Sequence, residues 1–274
     1  MALPIPAGRL KPKGKNFYKI VGDYRHVVCS VIRQRPMPQM GANAMGAMAL
    51  GTGFFVARNI FITCDHVMND PANPHQVGDS YMLVSNLTGT SGRSYQIQNP
   101  QIGQEINLFP NLDLAVLRVP NTPNDQPYAP IDYGEVYEGQ GIGVVGYPLP
   151  MLQAVNGNLA LNSLVYRAAS GSVTGRYTTN DGVLQNVPCI EVNFLFVPGN
   201  SGGPVFSEIS GAVLGFVRGY RAVKIRETLA TATMIAQMPL GVSNQYVESL
   251  SAVYSIAVKL DFVRATLEGF GVVL

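Results

Sequence analysis

The chain has three histidines, His26, His66 and His75, and all of them precede a serine set among glycines. That serine, Ser201, lies in Val197-Pro198-Gly199-Asn200-Ser201-Gly202-Gly203-Pro204-Val205. Glycine takes tight and positive-φ turns without a Cβ penalty, so the N–H groups of Gly199 and Ser201 can be brought to face one point. Two donors aimed at one point are what a developing oxyanion needs. A serine hydroxyl also needs a base, and that base needs a group to orient it. Here any histidine base must come from the amino-terminal side.

His66 sits in Phe61-Ile62-Thr63-Cys64-Asp65-His66-Val67, at the end of an apolar strand-like run. Asp113 sits in Asn111-Leu112-Asp113-Leu114-Ala115-Val116-Leu117, where another run begins. Taken singly, each has an ordinary structural explanation: a capping or core histidine, an aspartate in a turn, a glycine-rich turn around a serine. Their joint order, His66, Asp113, Ser201, favours nucleophilic catalysis. His26 and His75 have no comparable context and are expected to be structural or surface groups. Gly199-x-Ser201-x-Gly203 also fits a nucleophile elbow, but that arrangement needs its histidine after the serine, and none follows. Metal chemistry has little support. There is no His-Glu-x-x-His and no paired Cys-x-x-Cys, and Cys64-x-His66 is a poor ligand pair.

The runs Gly51-Thr52-Gly53-Phe54-Phe55-Val56, Thr63-x-x-His66-Val67, Asp113-Leu114-Ala115-Val116 and Gly199-Asn200-Ser201-Gly202-Gly203 resemble the trypsin-like serine peptidases. Within that group they are most similar to the bacterial Deg/HtrA-type protease domain. Tyr254-Ser255-Ile256-Ala257-Val258-Lys259-Leu260-Asp261-Phe262-Val263 resembles the final strand and helix of that branch, and the likeness runs from about Val27 to Phe270. The resemblance implies an all-β fold of two packed antiparallel β-barrels with the active site between them, followed by a C-terminal helix. It implies His66 as general base, Asp113 as its orienting acid, Ser201 as nucleophile, and Gly199 and Ser201 as the oxyanion hole. It places Leu195, six residues before the serine, at the base of the substrate pocket, with Val217, Arg218 and Gly219 as the opposite wall. An uncharged Leu195 there implies preference for a small or medium apolar side chain, whereas Arg218 brought into the pocket from the opposite wall would instead attract an acidic one. No metal or organic cofactor is required. Asn200 stands where zymogen-type enzymes carry an aspartate, so activity is expected to be independent of amino-terminal cleavage. The short stretch after the helix leaves no PDZ-like module expected.

Length and composition agree with this. The 274 residues allow one large domain or two small ones; 47 % are hydrophobic, only 13 % are charged, and 29 are glycine, which suits a substantial core with many tight turns. A net charge of +2 gives no case for nucleic acid or an anionic membrane as partner, and no apolar run reaches membrane-spanning length. Residues Met1 to Asn16 hold Pro4, Pro6, Gly8 and Pro12 without an apolar h-region, unlike a signal peptide. Cys29, Cys64 and Cys189 are too few for a disulfide framework and are expected as buried free thiols, which points to a reducing, cytoplasmic compartment.

Many short apolar runs, bounded by Gly, Pro, Asn or Asp, predict strands. The proline-rich Pro120–Pro130 predicts a linker. The expected organisation is an amino-terminal extension over 1–26, a first barrel over 27–119 carrying His66 and Asp113, a linker over 120–138, and a second barrel with the C-terminal helix over 139–274 carrying Ser201. Asp261 is expected to cap that helix, Val263 and Leu267 to share its buried face, and Gly269 to stop it. Gln34–Leu50, with four methionines among Gly, Ala and Pro, is expected to be a flexible loop. Thr228–Met238 fits either a helix or a long loop near the specificity pocket. The function these features favour is a serine endopeptidase acting on proteins or peptides. The alternatives are a catalytically silent fold that serves as a binding module, and a processing protease switched on by a regulatory protein.

Overall fold

Short apolar runs punctuated by turn residues become antiparallel strands in the computed structural model, which describes residues 16–40, 44–85, 92–148, 152–155, 158–161, 164–180, 184–228 and 246–272. The first seven are β1 (Val28–Pro36), β2 (Met45–Ala57), β3 (Ile60–Thr63), β4 (Ser80–Ser85), β5 (Arg93–Ile97), β6 (Ile106–Phe109) and β7 (Leu114–Arg118). They form one sheet in the order β5-β4-β1-β2-β3-β7-β6. β8 (Gly141–Gly146), β11 (Arg167–Asn180), β12 (Gln185–Val192), β13 (Pro204–Ser207), β14 (Val213–Thr228) and β15 (Tyr246–Lys259) close into a six-stranded barrel, while β9 (Leu152–Val155) and β10 (Asn158–Leu161) pair only with each other. Of the two β units expected, the second is therefore a closed barrel, and the first is an antiparallel sheet with β5 and β6 at its edges. Closure leaves the barrel strands without free edges.

β3 and β7 pair with each other, and every residue of Ile60–Thr63 and Leu114–Leu117 is buried. A second apolar cluster fills the closed barrel, with Ile142, Val144, Ile190, Val205, Leu214 and Ala257 among its members. The proline-rich connection is tied down rather than loose. Ala129 N donates to Phe55 O at 2.8 Å, Val213 N donates to Pro130 O at 2.8 Å, and Gln126 is fully buried.

Three expectations are corrected. Most of Gln34–Leu50 is not loop: Gln34–Pro36 closes β1, Pro38–Met40 makes one 3₁₀ turn, and Met45–Leu50 pairs with β1, Arg33 standing opposite Met48. Cross-strand hydrogen bonds supply there what the mixed Met, Gly and Ala pattern does not. At the C-terminus, Leu260–Val263 forms a 3₁₀ turn before the helix Arg264–Gly269. Asp261 does not cap that helix but pairs with Lys259 at 2.9 Å, and the left-handed glycine is Gly271 at φ 82°. Val263 and Leu267 are both buried, as their spacing predicts.

The amino-terminal segment is built into the second unit. Asn16 caps α1 (Phe17–Tyr24) by accepting from Tyr18 N. Phe17 and Tyr24 stack on Phe206 of β13, with ring centroids 6.0 and 5.1 Å apart. The buried Tyr24 hydroxyl donates to Gly211 O at 2.7 Å, and Tyr166 Oη donates to Val21 O at 2.8 Å. Residues 1–15 lie outside the described residues, as do 229–238 of the stretch that fits either a helix or a loop. Among the described residues no helix is long and apolar enough to cross a membrane.

Cys29, Cys64 and Cys189 are free and buried. Burial pushes the Cys29 and Cys64 thiols well up from their ordinary range, so both stay protonated and inert. With no cross-link to lose, the melting temperature is expected to be the same, within error, with and without reductant. A calorimetric scan of both samples checks this.

Candidate active site

The end of β3, the start of β7 and the turn before β13 meet between the two units. After Thr63 the chain passes through extended Cys64 into the one-turn helix α2 (Asp65–Met68), which carries His66. Asp113 joins a 3₁₀ turn (Pro110–Leu112) to β7 in the left-handed conformation, φ 48°. Aspartate is one of the few side chains that adopts this region readily. Its carboxylate accepts from His66 N at 3.2 Å and faces His66 Nδ1 with both oxygens, at 2.9 and 3.0 Å. Asp113 is nearly buried while the imidazole is 43 % exposed, so the pair has one dry end and one end open to a ligand. Arg218 Nε stands 3.5 Å from the second carboxylate oxygen.

The serine turn depends on its glycines. Gly199 and Gly202 have φ of 94° and 84°, and a Cβ on Gly202 would lie 2.1 Å from Thr52 O and 2.2 Å from Thr63 Oγ1. Thr52 of β2, fully buried, holds this turn from the other unit. Its Oγ1 donates to Gly199 O at 2.6 Å and accepts from Tyr147 N at 2.8 Å, its N–H donates to Ser201 O at 2.9 Å, and its carbonyl accepts from Thr63 Oγ1 at 2.6 Å. Gly202 N donates to Val217 O and Val217 N donates to Gly203 O, fastening the turn to β14. Among the described residues the Gly199 and Ser201 N–H groups donate to no protein acceptor. Asn200 is buried with Oδ1 unpartnered and makes no ion pair.

Ser201 Oγ donates to Arg218 O at 3.3 Å, and no hydrogen bond joins it to His66. Both face one cavity of about 470 Å³, shared with Phe196, Val217, Arg218 and Gly219. Leu195 does not. It is 59 % exposed and lies outside the cavity lining, whereas Phe196 is buried and lines it. Phe196 N donates to Ser255 Oγ at 2.7 Å and its ring packs edge-on to Phe194, so this backbone turns Phe196 inward and Leu195 outward. The pocket wall is aromatic where leucine was expected. Val217, Arg218 and Gly219 do line the cavity, but the Arg218 guanidinium reaches Asp113.

Cys64 Sγ, His66 and Asp113 offer ligand atoms within 4.8 Å of one another. The thiol proton is committed to Val217 O at 3.1 Å, and burial disfavours the thiolate a metal would need. His75 Nδ1 lies 2.9 Å from Tyr81 Oη, and neither His75 nor His26 borders the cavity. Thr52, Phe196 and Asp65 went unrecognised in the sequence. Thr52 stands in the quoted Gly51-Thr52-Gly53 run and Asp65 adjoins His66, but their partners are fixed only by tertiary contact.

Residues 51–216 match a family model described as a trypsin-like peptidase domain, a span that includes His66, Asp113 and Ser201. Among curated proteins, a probable periplasmic serine endoprotease, DegP-like, of Pseudomonas fulva is 26 % identical over 187 residues, covering 68 % of this chain and 32 % of that protein. An uncharacterized protein, y4bJ, of Sinorhizobium fredii is 28 % identical over 180 residues, covering 66 % of this chain and 23 % of that one. The chain spans about a third of the length of the DegP-like relatives it matches. Among solved structures, the HtrA-type protease AlgW with a decapeptide aligns with a TM-score of 0.59 at 13 % identity, over 92 % of this chain and 66 % of that one. The Rv3671c protease from M. tuberculosis, in its active form, aligns with a TM-score of 0.56 at 14 % identity, over 98 % and 91 %. These likenesses show a shared chymotrypsin-like fold. The DegP-like relatives are named as probable periplasmic proteases, which overturns the expected cytoplasmic location. Deeply buried protonated thiols are inert in either compartment, so the cysteine count carried no information about it.

Two outcomes follow from this geometry. Thr52→Val leaves Gly199 O and Tyr147 N unpaired in the interior and is expected to cost about 2–4 kcal/mol; Thr52→Ser keeps the hydroxyl and most of the stability, as urea titration of both variants would show. Burial, reinforced by Asp113 and opposed by His66, pushes the Asp65 carboxyl up from 3.8 to about 6. The native state then binds the proton more tightly than the unfolded chain, so ionised Asp65 costs stability above pH 6 and the cost disappears as pH falls through 6 towards 4. Asp65→Asn is therefore expected to raise the melting temperature at pH 7.5 and to leave it nearly unchanged at pH 4.

Proposed function

Because the chain belongs to the trypsin-like peptidase domain family, we propose that it is a serine endopeptidase that cuts protein or peptide chains through His66, Asp113 and Ser201. The observation that carries this is the His66–Asp113 pair, closed at Nδ1 and open at its other edge, facing the same cavity as Ser201 and two undonated backbone N–H groups. Asp113 holds the imidazole with its proton on Nδ1, which leaves Nε2 as the basic nitrogen. For the reaction the Ser201 hydroxyl leaves Arg218 O and donates to that nitrogen. Ser201 Oγ then attacks the substrate carbonyl carbon as His66 takes its proton. The Gly199 and Ser201 N–H groups receive the negative charge on the carbonyl oxygen, and His66 returns the proton to the leaving amine. Water attacks the acyl-enzyme by the same route in reverse. A peptide substrate is supported by the neighbour solved with a decapeptide, and an extended peptide has backbone partners along Val217-Arg218-Gly219.

One observation favours control over this chemistry. In the structure the serine hydroxyl is engaged by Arg218 O, so the nucleophile and the base are not yet joined. Binding of substrate or of a regulatory protein against the β14 backbone would free it.

A fluorophosphonate is expected to label wild-type protein on Ser201 alone. Ser201→Ala and His66→Ala abolish both labelling and peptide turnover in a folded protein, and Asp113→Asn lowers kcat by about 10⁴-fold if it behaves as the corresponding change does in other serine proteases. Turnover by Ser201→Ala at half the wild-type rate would refute the assignment.

A further inference from the structure

Next to the Ser201 cavity lies a second one, of about 510 Å³, that shares His66, Arg218 and Gly219 as a common wall. Its charged residues among the described lining are Asp65, Asp113 and Arg218, besides the titratable His66. Arg218 and Asp113 face each other, which leaves Asp65 as a carboxyl with no cation. Asp65 is 9 % exposed, and its Oδ1 is buried without a hydrogen-bond partner. An ionised carboxylate in that state is costly unless something pairs with it. The remaining wall includes Pro71, Pro110 and Ile256, an apolar surface of the kind along which the methylene stem of a long cationic side chain lies. The Ser201 cavity continues the charge pattern, with Asp70 on its wall and no cation other than Arg218.

We propose that the second cavity is a subsite for a lysine or arginine side chain of the substrate, carried by a residue flanking the one whose carbonyl meets Ser201, with Asp65 as the specificity-determining residue. This rests on the peptidase assignment made above. The stem packs on Pro71, Pro110 and Ile256, and the charged head meets the Asp65 carboxyl where it borders the cavity, Oδ1 itself being buried behind it. The cation supplies the counter-charge the folded protein lacks there. The groups that face Asp65 are Asp113 and His66, with Arg218 on the shared wall. Of these only His66 is an imidazole, and as the base for every substrate it acts on both peptides alike.

The test uses peptides that differ only in lysine or norleucine, placed at each position flanking the cleaved bond in turn. At one flanking position and pH 8, wild-type kcat/KM is expected to be at least tenfold higher for lysine than for norleucine. In Asp65→Asn that ratio falls to within twofold. In the wild type it shrinks between pH 8 and pH 5 as Asp65 takes up a proton, while any effect of pH on the catalytic step common to both peptides cancels from the ratio. A ratio near one at every flanking position, or one that Asp65→Asn leaves intact, overturns the proposal. The wild-type pH series decides the matter even where Asp65→Asn fails to fold. Fluorescence anisotropy with the same labelled peptides on Ser201→Ala reads the lysine-to-norleucine ratio as Kd. A protein that binds lysine peptides tenfold more tightly, yet neither cuts peptides nor labels with fluorophosphonate, would sink the peptidase assignment and leave the subsite standing.

Discussion

The site is held together by one threonine. Thr52 lies in β2 of the open sheet, yet two of its polar atoms make three hydrogen bonds to the turn and the strand end of the barrel: Oγ1 to Gly199 O and from Tyr147 N, and N–H to Ser201 O. Its carbonyl binds Thr63 at the end of β3, three residues before His66. A single fully buried residue thus couples the turn that carries the serine to the strand that delivers the histidine. Cys64 Sγ to Val217 O and Arg218 to Asp113 also bridge the two units, but without Thr52 the serine turn itself would rest on the first sheet through side-chain packing, which tolerates small slips. Buried hydrogen bonds do not, because each broken one strands a polar group away from water. The glycines serve this same clamp: a Cβ at Gly202 would occupy the space where Thr52 O and Thr63 Oγ1 now lie.

Electrostatics at the site are arranged around a shortage of positive charge. Asp113 has two neighbours of positive character, the imidazole and the Arg218 guanidinium, while Asp65 has neither a cation nor a hydrogen-bond donor at its buried oxygen. Arg218 acts twice, since its carbonyl holds the serine hydroxyl and its side chain faces the acid that orients the histidine. The resting geometry of nucleophile and base therefore depends on the path of one residue of β14.

What could be read in the sequence was whatever depends on order and local pattern. The sequence His66, Asp113, Ser201, each next to a strand end, is a property of the chain itself, and the strands follow from short apolar runs between turn residues. What could not be read depends on side-chain direction or on distant partners. Leu195 and Phe196 are both apolar, and a shift of one residue along an extended segment decides which faces the cavity; the decision is made by Ser255 and Phe194. Gln34–Leu50 has no clear period, and pairing with β1 makes most of it sheet. The capping role given to Asp261 failed because a 3₁₀ turn over Leu260–Val263 precedes the helix and takes Asp261 out of the cap position, which falls on Val263. The periplasmic naming of the relatives had no counterpart in the cysteine pattern, since thiols this deeply buried respond to no redox compartment.

The stacking of α1 on Phe206 has a consequence for how the molecule is made. Tyr24 and its acceptor Gly211 are separated by 187 residues, so the first described helix finds its seat only after β13 exists. A chain emerging from the ribosome amino-terminus first must hold α1 unplaced while the open sheet is synthesised, and then while the barrel closes. Contacts of such long sequence separation are paid for in loop entropy before they return any stability. A helix made before either sheet is among the last elements to be locked, and its docking reports that the barrel is complete.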